Sequence, residues 1–142
     1  FSVFIFNAAG EMLLQQRAHS KYHSGGLFTN TCCSHPRPHE VISEAANRRL
    51  DEEMGMSCEL QEIFSFEYKA ELDHGLTEWE LDHVLIGKSD KHPVINPLEV
   101  ASFDYVNVDW LLKDLVSRPN RYTAWFKASV EKVIDAQRDT LK

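Results

Sequence analysis

The stretch that most constrains this chain is a helical pattern from about Glu40 to Met54 that stops at Gly55. Gly55 reads as the C′ residue that ends the helix. With 100° per residue and Arg48 at zero, Ile42, Ala46, Leu50 and Met54 fall at about 120°, 160°, 200° and 240°. That is an apolar stripe, and it must face a core. Glu52 falls outside it at about 40°, Arg49 on its border at about 100°, and Glu53 inside it at about 140°. A carboxylate within a buried stripe is costly unless it is paired or binds a cation. One reading is a set of surface i,i+4 pairs, Arg48–Glu52 and Arg49–Glu53. The wheel favours that reading for Arg48–Glu52. For Glu53 it favours a buried carboxylate with a ligand role.

Strand patterns surround this helix. Residues 1–7 and 12–17 are apolar and β-rich, joined by a turn at Asn7-Ala8-Ala9-Gly10. Residues 18–28 form a polar loop, and Thr29 to His35 reads as a short strand ended by Pro36 and Pro38. Further strands are expected at 58–70, 78–87 and about 103–106, and helices at 108–115 and 122–140. Such an order suits a mixed sheet covered by helices, α/β or α+β. The 142 residues fit one domain, large enough to hold a core without disulfide staples. Three cysteines, an odd number with two adjacent, suit reduced thiols in the cytoplasm. No run approaches the ~20 apolar residues of a membrane helix. The chain opens at Phe1 already within a strand, so upstream residues of a longer protein are expected.

Lys and Arg number 15 against 22 Asp and Glu, a net charge of −7. A general nucleic-acid binder would be basic, so an anionic partner must be met by a local basic cluster or a metal ion. Arg17 and Lys21, just after a strand, can form such a cluster or stand as solitary surface cations. Within Glu78 to Ile86, alternation puts Glu78, Glu80, Asp82, Val84 and Ile86 on one face. Trp79, Leu81, His83 and Leu85 fall on the other, so both faces are partly apolar and the strand is expected inside the sheet. Two carboxylates two residues apart can hold a divalent metal, or project from a strand end into solvent. Cys33 and His35 share a face, with Cys32 opposite. Cys33 beside His35 can be a nucleophile, an acid/base or a metal ligand, whereas Cys32 and Cys58 read as small core hydrophobes. Tyr68, Trp79 and Trp125 are candidates for a pocket wall or for the core.

The segment Ser34-x5-Glu40-x7-Arg48-Arg49-Leu50-Asp51-Glu52-Glu53-Met54-Gly55-Met56 resembles the Nudix box, G-x5-E-x7-R-E-U-x-E-E-x-G-U, with U a bulky apolar residue. The spacing matches throughout. Ser34 replaces the first Gly, and Arg49 replaces a Glu of the acidic metal-binding set, which argues against ordinary pyrophosphohydrolysis. Thr29-Asn30-Thr31-Cys32-Cys33-Ser34-His35-Pro36 resembles the active-site signature of the type 1 isopentenyl-diphosphate Δ-isomerases. Trp79 between Glu78 and Glu80, with Tyr68 ten residues before Glu78, resembles that family's second motif.

The resemblance covers nearly the whole chain and implies a Nudix-like mixed β-sheet sandwiched between helices, within one domain spanning 1–142. It implies interconversion of isopentenyl and dimethylallyl diphosphate in isoprenoid biosynthesis, by protonation at one end of the double bond and loss of a proton from C2. It places Cys33 and Glu80 on the two faces of the substrate, without deciding which gives the proton, and sets Tyr68 to hydrogen-bond near Glu80. His35, Glu78 and Glu80 would ligate a divalent metal, Mn²⁺, Zn²⁺ or Mg²⁺; the family adds two histidines upstream, and His19, His23 and His39 are not nominated in their place. Glu53 and the Cys33 carbonyl would hold Mg²⁺ bridging the diphosphate, and Arg17, Lys21 and Arg49 would contact its oxygens. Trp125 would place a π face near the developing cation. The implied protein is a cytoplasmic monomer or weak dimer with a small-molecule diphosphate substrate and no nucleic-acid or membrane partner. Two alternatives remain: a Nudix hydrolase of a nucleoside diphosphate derivative, and a Nudix domain that binds without turnover.

Overall fold

Five successive buried residues, Ser2–Phe6, make β1, a strand covered on both faces. Its side chains alternate between two cores. Val3 and Ile5 join one cluster with Leu13, Leu50 and Met54, while Phe4 and Phe6 join another with Leu14, Phe126 and Val133. In this computed structural model, which describes residues 1–140, a mixed sheet is therefore packed between helices, the architecture expected above. The remaining strands are β2 (Met12–Arg17), β3 (Phe28–Thr29), β4 (Cys32–Cys33), β5 (Gln61–Glu71), β6 (Thr77–Lys88) and β7 (Val100–Val106). The helices are α1 (Ile42–Met54), α2 (Val108–Ser117) and α3 (Ala124–Thr140). The main strand order is β3-β2-β1-β6-β5, with β4 paired to β1 and β7 to β2. β1 runs antiparallel to β2 and parallel to β6.

Helix α1 covers one face and buries Ala46, Leu50, Glu53 and Met54 as the wheel requires. Gly55 ends it in the left-handed region at φ 62°, donating its N–H to the Asp51 carbonyl. The expected continuous strand Thr29–His35 is instead two short pieces. The break follows from Asn30 and Thr31, whose side chains take bonds that a ladder would use. Asn30 donates to the Val3 and Cys32 carbonyls, and Thr31 Oγ1 accepts from Ile5 N–H and donates to the Leu13 carbonyl. Strand β6 is interior from Val84 onward, where it meets β1; its first half, which carries Glu78 and Glu80, pairs with β5 alone and runs past the end of β1. That overhang opens a cavity at the sheet's edge. No described helix is long and apolar enough to cross a membrane.

Candidate active site

A cavity of about 190 Å³ lies where β4, the overhanging half of β6, α1 and the start of α3 approach one another. Cys33, His35, Glu78, Glu80, Arg17, Lys21, Arg49, Glu53 and Trp125 all border it. These residues come from five places in the sequence, and nine of the ten candidate site residues are thereby gathered, Tyr68 being the exception. Cys32, on the opposite side of β4, is fully buried against α1 as a core residue.

His35 Nε2 lies 2.6 Å from Glu80 Oε2. That hydrogen bond holds the Glu80 carboxyl below its ordinary range and raises the imidazole. Burial, then the hydrogen bond and charge of Glu80, push Glu78 up to about 7. Asp82, next on the same face, is buried; its Oδ2 accepts from Ser2 Oγ at 2.8 Å, and its Oδ1 has no hydrogen-bond partner among the described residues, lying 3.7 Å from the Phe1 amino group. Burial raises its carboxyl as well. Three carboxylates along one strand face, two of them held above the usual range, form a donor set rich in negative charge. Their chemistry fits a divalent cation at His35, Glu78 and Glu80. Among the described residues, however, no group of three or more His, Cys, Asp or Glu side chains closes around a metal position. His35 and Glu80 are already joined, while Glu53 belongs to the α1 wall.

Glu53 is 5% exposed and is satisfied within the chain: Oε2 accepts from Arg49 at 2.7 Å and Oε1 from Gln15 Nε2 at 3.0 Å. The carboxylate misplaced on the helical wheel thus takes the i,i+4 pair as its partner, with Gln15 from β2 added. Arg49 also bonds Glu52 at 2.6 Å and lies 3.5 Å from Glu99. Lys21 is paired with the same Glu99 carboxylate oxygen. Two of the three cations expected to bind a diphosphate are therefore held by carboxylates here. Arg17 is the exception. Its guanidinium sits 5.2 Å over the Trp125 ring, donates to the His23 carbonyl at 3.2 Å, and leaves a buried Nε without a partner among the described residues.

Burial pushes the Cys33 thiol up to about 12, opposed by Arg17 and reinforced by Glu53 and Asp82. Cys33 accordingly carries its proton at neutral pH. Tyr68 stands directly across the β5–β6 ladder from Glu80, but the expected hydrogen bond is not made: its hydroxyl is buried with no partner among the described residues. Directly paired residues project to the same face at a spacing set by the ladder, and here the hydroxyl does not reach the carboxylate. Trp79 points away from the cavity, exposed, with its Nε1 bonded to Glu67 and Lys69 over its ring. Sequence reasoning missed Glu99 and His23. Glu99 stands in an irregular segment before β7, where no periodicity marks a direction. His23 lies in the 18–28 loop, which reaches the cavity because Ser24 N–H donates to the Asp73 carboxylate and Tyr22 stacks on His74 at the β5–β6 turn. Asp82 was legible from strand alternation alone.

A family model described as NUDIX domain matches residues 1–126. An isopentenyl-diphosphate Delta-isomerase 1 of Aromatoleum aromaticum is 50% identical over 138 residues, which are 97% of this chain and 78% of that protein. An isopentenyl-diphosphate Delta-isomerase of Pectobacterium atrosepticum is 48% identical over 134 residues, 94% of this chain and 75% of that protein. Among solved structures, a MutT protein from Methanosarcina mazei aligns with a TM-score of 0.75 at 19% identity, covering 96% of this chain and 91% of that one. The NUDIX domain of Shewanella oneidensis NrtR, complexed with ADP ribose, aligns with a TM-score of 0.70 at 14% identity, covering 99% and 86%. At these identities the structures speak for the fold alone.

Proposed function

This chain belongs to the Nudix family and, within it, to the type 1 isopentenyl-diphosphate Δ-isomerases, and we propose that Cys33 and Glu80 carry its reaction. The protein is an isomerase that interconverts isopentenyl and dimethylallyl diphosphate. The observation that supports these residue roles is convergence: a thiol from β4 and a carboxylate from β6 border one cavity that also holds cationic side chains and an aromatic wall.

Moving the double bond requires a proton to arrive at one terminal carbon and another to leave C2. Cys33 and Glu80 approach the cavity from different strands, so both transfers can occur without the substrate turning over. The Cys33 thiol holds a proton and the Glu80 carboxyl, bonded to His35, does not; the two groups thus begin in opposite protonation states. Tyr68, facing Glu80 across the ladder, lends a buried hydroxyl to that side of the site. Trp125, already a cation acceptor for Arg17, offers its ring to the tertiary carbocation between the two transfers and helps exclude water. Arg17, Lys21 and Arg49 bind the diphosphate, Lys21 and Arg49 exchanging Glu99 for phosphate oxygens. His35, Glu78 and Glu80 would hold a divalent ion that would supply Lewis acidity beside Glu80, and Glu53 with the Cys33 carbonyl would hold Mg²⁺ that would offset the diphosphate charge. Three free cysteines suit a reducing cytoplasm.

Proton NMR of isopentenyl diphosphate incubated with the full-length protein and Mg²⁺ in D₂O tests the reading. Dimethylallyl signals with deuterium in the new methyl group are expected. Release of phosphate with no dimethylallyl signal would overturn it in favour of hydrolysis.

A further inference from the structure

Behind the cavity runs a chain of polar side chains that touches no solvent. Thr29, Asn30 and Thr123 are each 0% exposed. Thr29 Oγ1 donates to Asn30 Oδ1 at 2.8 Å and lies 2.8 Å from Thr123 Oγ1. A threonine has one hydroxyl hydrogen, and that of Thr29 is spent on Asn30, so Thr123 is the donor to Thr29. Asn30 Nδ2 donates to the Val3 carbonyl at 3.0 Å and to the Cys32 carbonyl at 2.8 Å, which uses both amide hydrogens. A flipped amide would set its oxygen against those carbonyls, so the chain has one direction throughout.

Its two ends matter. Thr123 immediately precedes α3, accepts the Phe126 N–H at 3.4 Å and donates its own N–H to the Phe28 carbonyl at 3.0 Å. Trp125 hangs from that first turn; its Nε1 has no hydrogen-bond partner among the described residues, and the helix start sets where its ring meets Arg17 and His23. At the other end, the Cys32 carbonyl belongs to the peptide bond that carries Cys33. Strand β4 is only two residues long and meets β1 at two positions, extended by Ser34, whose N–H donates to the Phe1 carbonyl at 3.2 Å; so short a ladder fixes the backbone loosely unless its other side is also tied.

We propose that Thr123 and Asn30 are positioning residues: the chain from Thr123 through Thr29 and Asn30 to the Cys32 carbonyl holds Cys33 at a fixed distance from Trp125 across the cavity. It rests on the reading of Cys33 as an acid/base group and Trp125 as the wall facing the cation. A buried and fully satisfied chain is suited to this, because shifting either end leaves a polar atom unpaired.

Thr123→Val removes the donor hydroxyl and keeps the shape. We expect kcat for isomerisation to fall between about ten- and a hundredfold, as for a displaced reacting group. KM for isopentenyl diphosphate should change much less than kcat, because Lys21 and Arg49 are untouched and Arg17 alone rests on the Trp125 ring. Thr123→Ser, which keeps the hydroxyl, should restore kcat. An unchanged kcat in folded Thr123→Val, or an equal fall in Thr123→Ser, overturns the proposal. If Thr123→Val does not fold, Thr29→Val breaks the next link and reads the same quantity. Loss of the fold in both also overturns it, since the chain would then be a support of the core. Cys33→Ala keeps the two claims apart. Turnover retained in Cys33→Ala defeats the acid/base reading, whereas an inactive Cys33→Ala beside a fully active Thr123→Val defeats only the positioning role.

Discussion

Arg49 stands where the Nudix box has a glutamate, and its guanidinium joins Glu52, Glu53 and Glu99. The pair with Glu53 is well shielded, with side chains 19% and 6% exposed. Removing one partner of such a pair leaves a buried charge, at a cost of about 3–5 kcal/mol for a fully buried one. Arg49→Ala is therefore expected to lower the urea midpoint markedly as well as weaken substrate binding; an unchanged midpoint would show that Glu53 finds another partner. Arg17→Ala is the contrast. Among the described residues no carboxylate pairs with Arg17, so stability should change little, while KM rises about tenfold or more through loss of a charge-assisted bond to the diphosphate. Steady-state kinetics beside a urea titration separates the two. Cys33→Ala should abolish isomerisation with a near-normal melting temperature, since only one half-buried sulfur is lost; NMR turnover and a thermal melt check both halves. At this scale Cys33, His35, Glu78 and Glu80 were legible from local alternation and motif. Glu99 and Gln15, which hold the cations and Glu53, were not, because their partners lie 38 residues or more away in the chain.

Helix α1 was readable as an element because its period, its stripe and its terminal glycine agree. Gly55 has φ 62°, a conformation that costs a residue with a side chain about 1–2 kcal/mol. A Cβ there would also meet the Val94 carbonyl oxygen at 2.5 Å. Gly55→Ala should destabilise the protein by at least that strain, measured by urea denaturation, and a neutral result would mean that the 89–99 segment yields easily. The conformational need at Gly55 is visible in the sequence, but the approach of Val94 is not. The segment 29–35 shows the reverse. β-branched residues and cysteines made it read as one strand, yet Asn30 and Thr31 cap neighbouring backbone with their side chains and split it. Local propensity could not reveal that, because the bonds go to β1 and β2.

Over the whole molecule, paired and unpaired carboxylates set opposite pH limbs. The hydrogen bond from Arg48 holds Glu40 down to about 2, and that from Arg49 lowers Glu52. At Asp114 burial acts upward, but the bonds from Tyr122 and Arg118 outweigh it. These groups bind protons more weakly when folded, so their stabilisation is present above the ordinary carboxylate range and is lost as pH falls from 4.5 towards about 2. Glu78, raised to about 7 by burial and by Glu80, and Asp82, raised by burial, act in the opposite sense. Their charged forms disfavour the fold at higher pH, and protonation through about 7 relieves it. Melting temperature against pH in metal-free protein should therefore rise slightly on acidification through 7 and fall steeply below 4.5, with added divalent cation flattening the upper limb. A profile that is flat between 8 and 6 without metal would contradict the strain at Glu78. The alternating and 3.6-residue periods, the glycine stop and the spaced Cys, His and Glu residues are properties of neighbours along the chain. They were enough to specify layers, helix faces and the chemistry of the site. Folding alone settled which charges neutralise one another, where the 29–35 strand breaks, and that among the described residues the Tyr68 hydroxyl and Asp82 Oδ1 make no hydrogen bond. Those outcomes depend on distances between segments far apart in sequence, and burial makes each such distance energetically consequential.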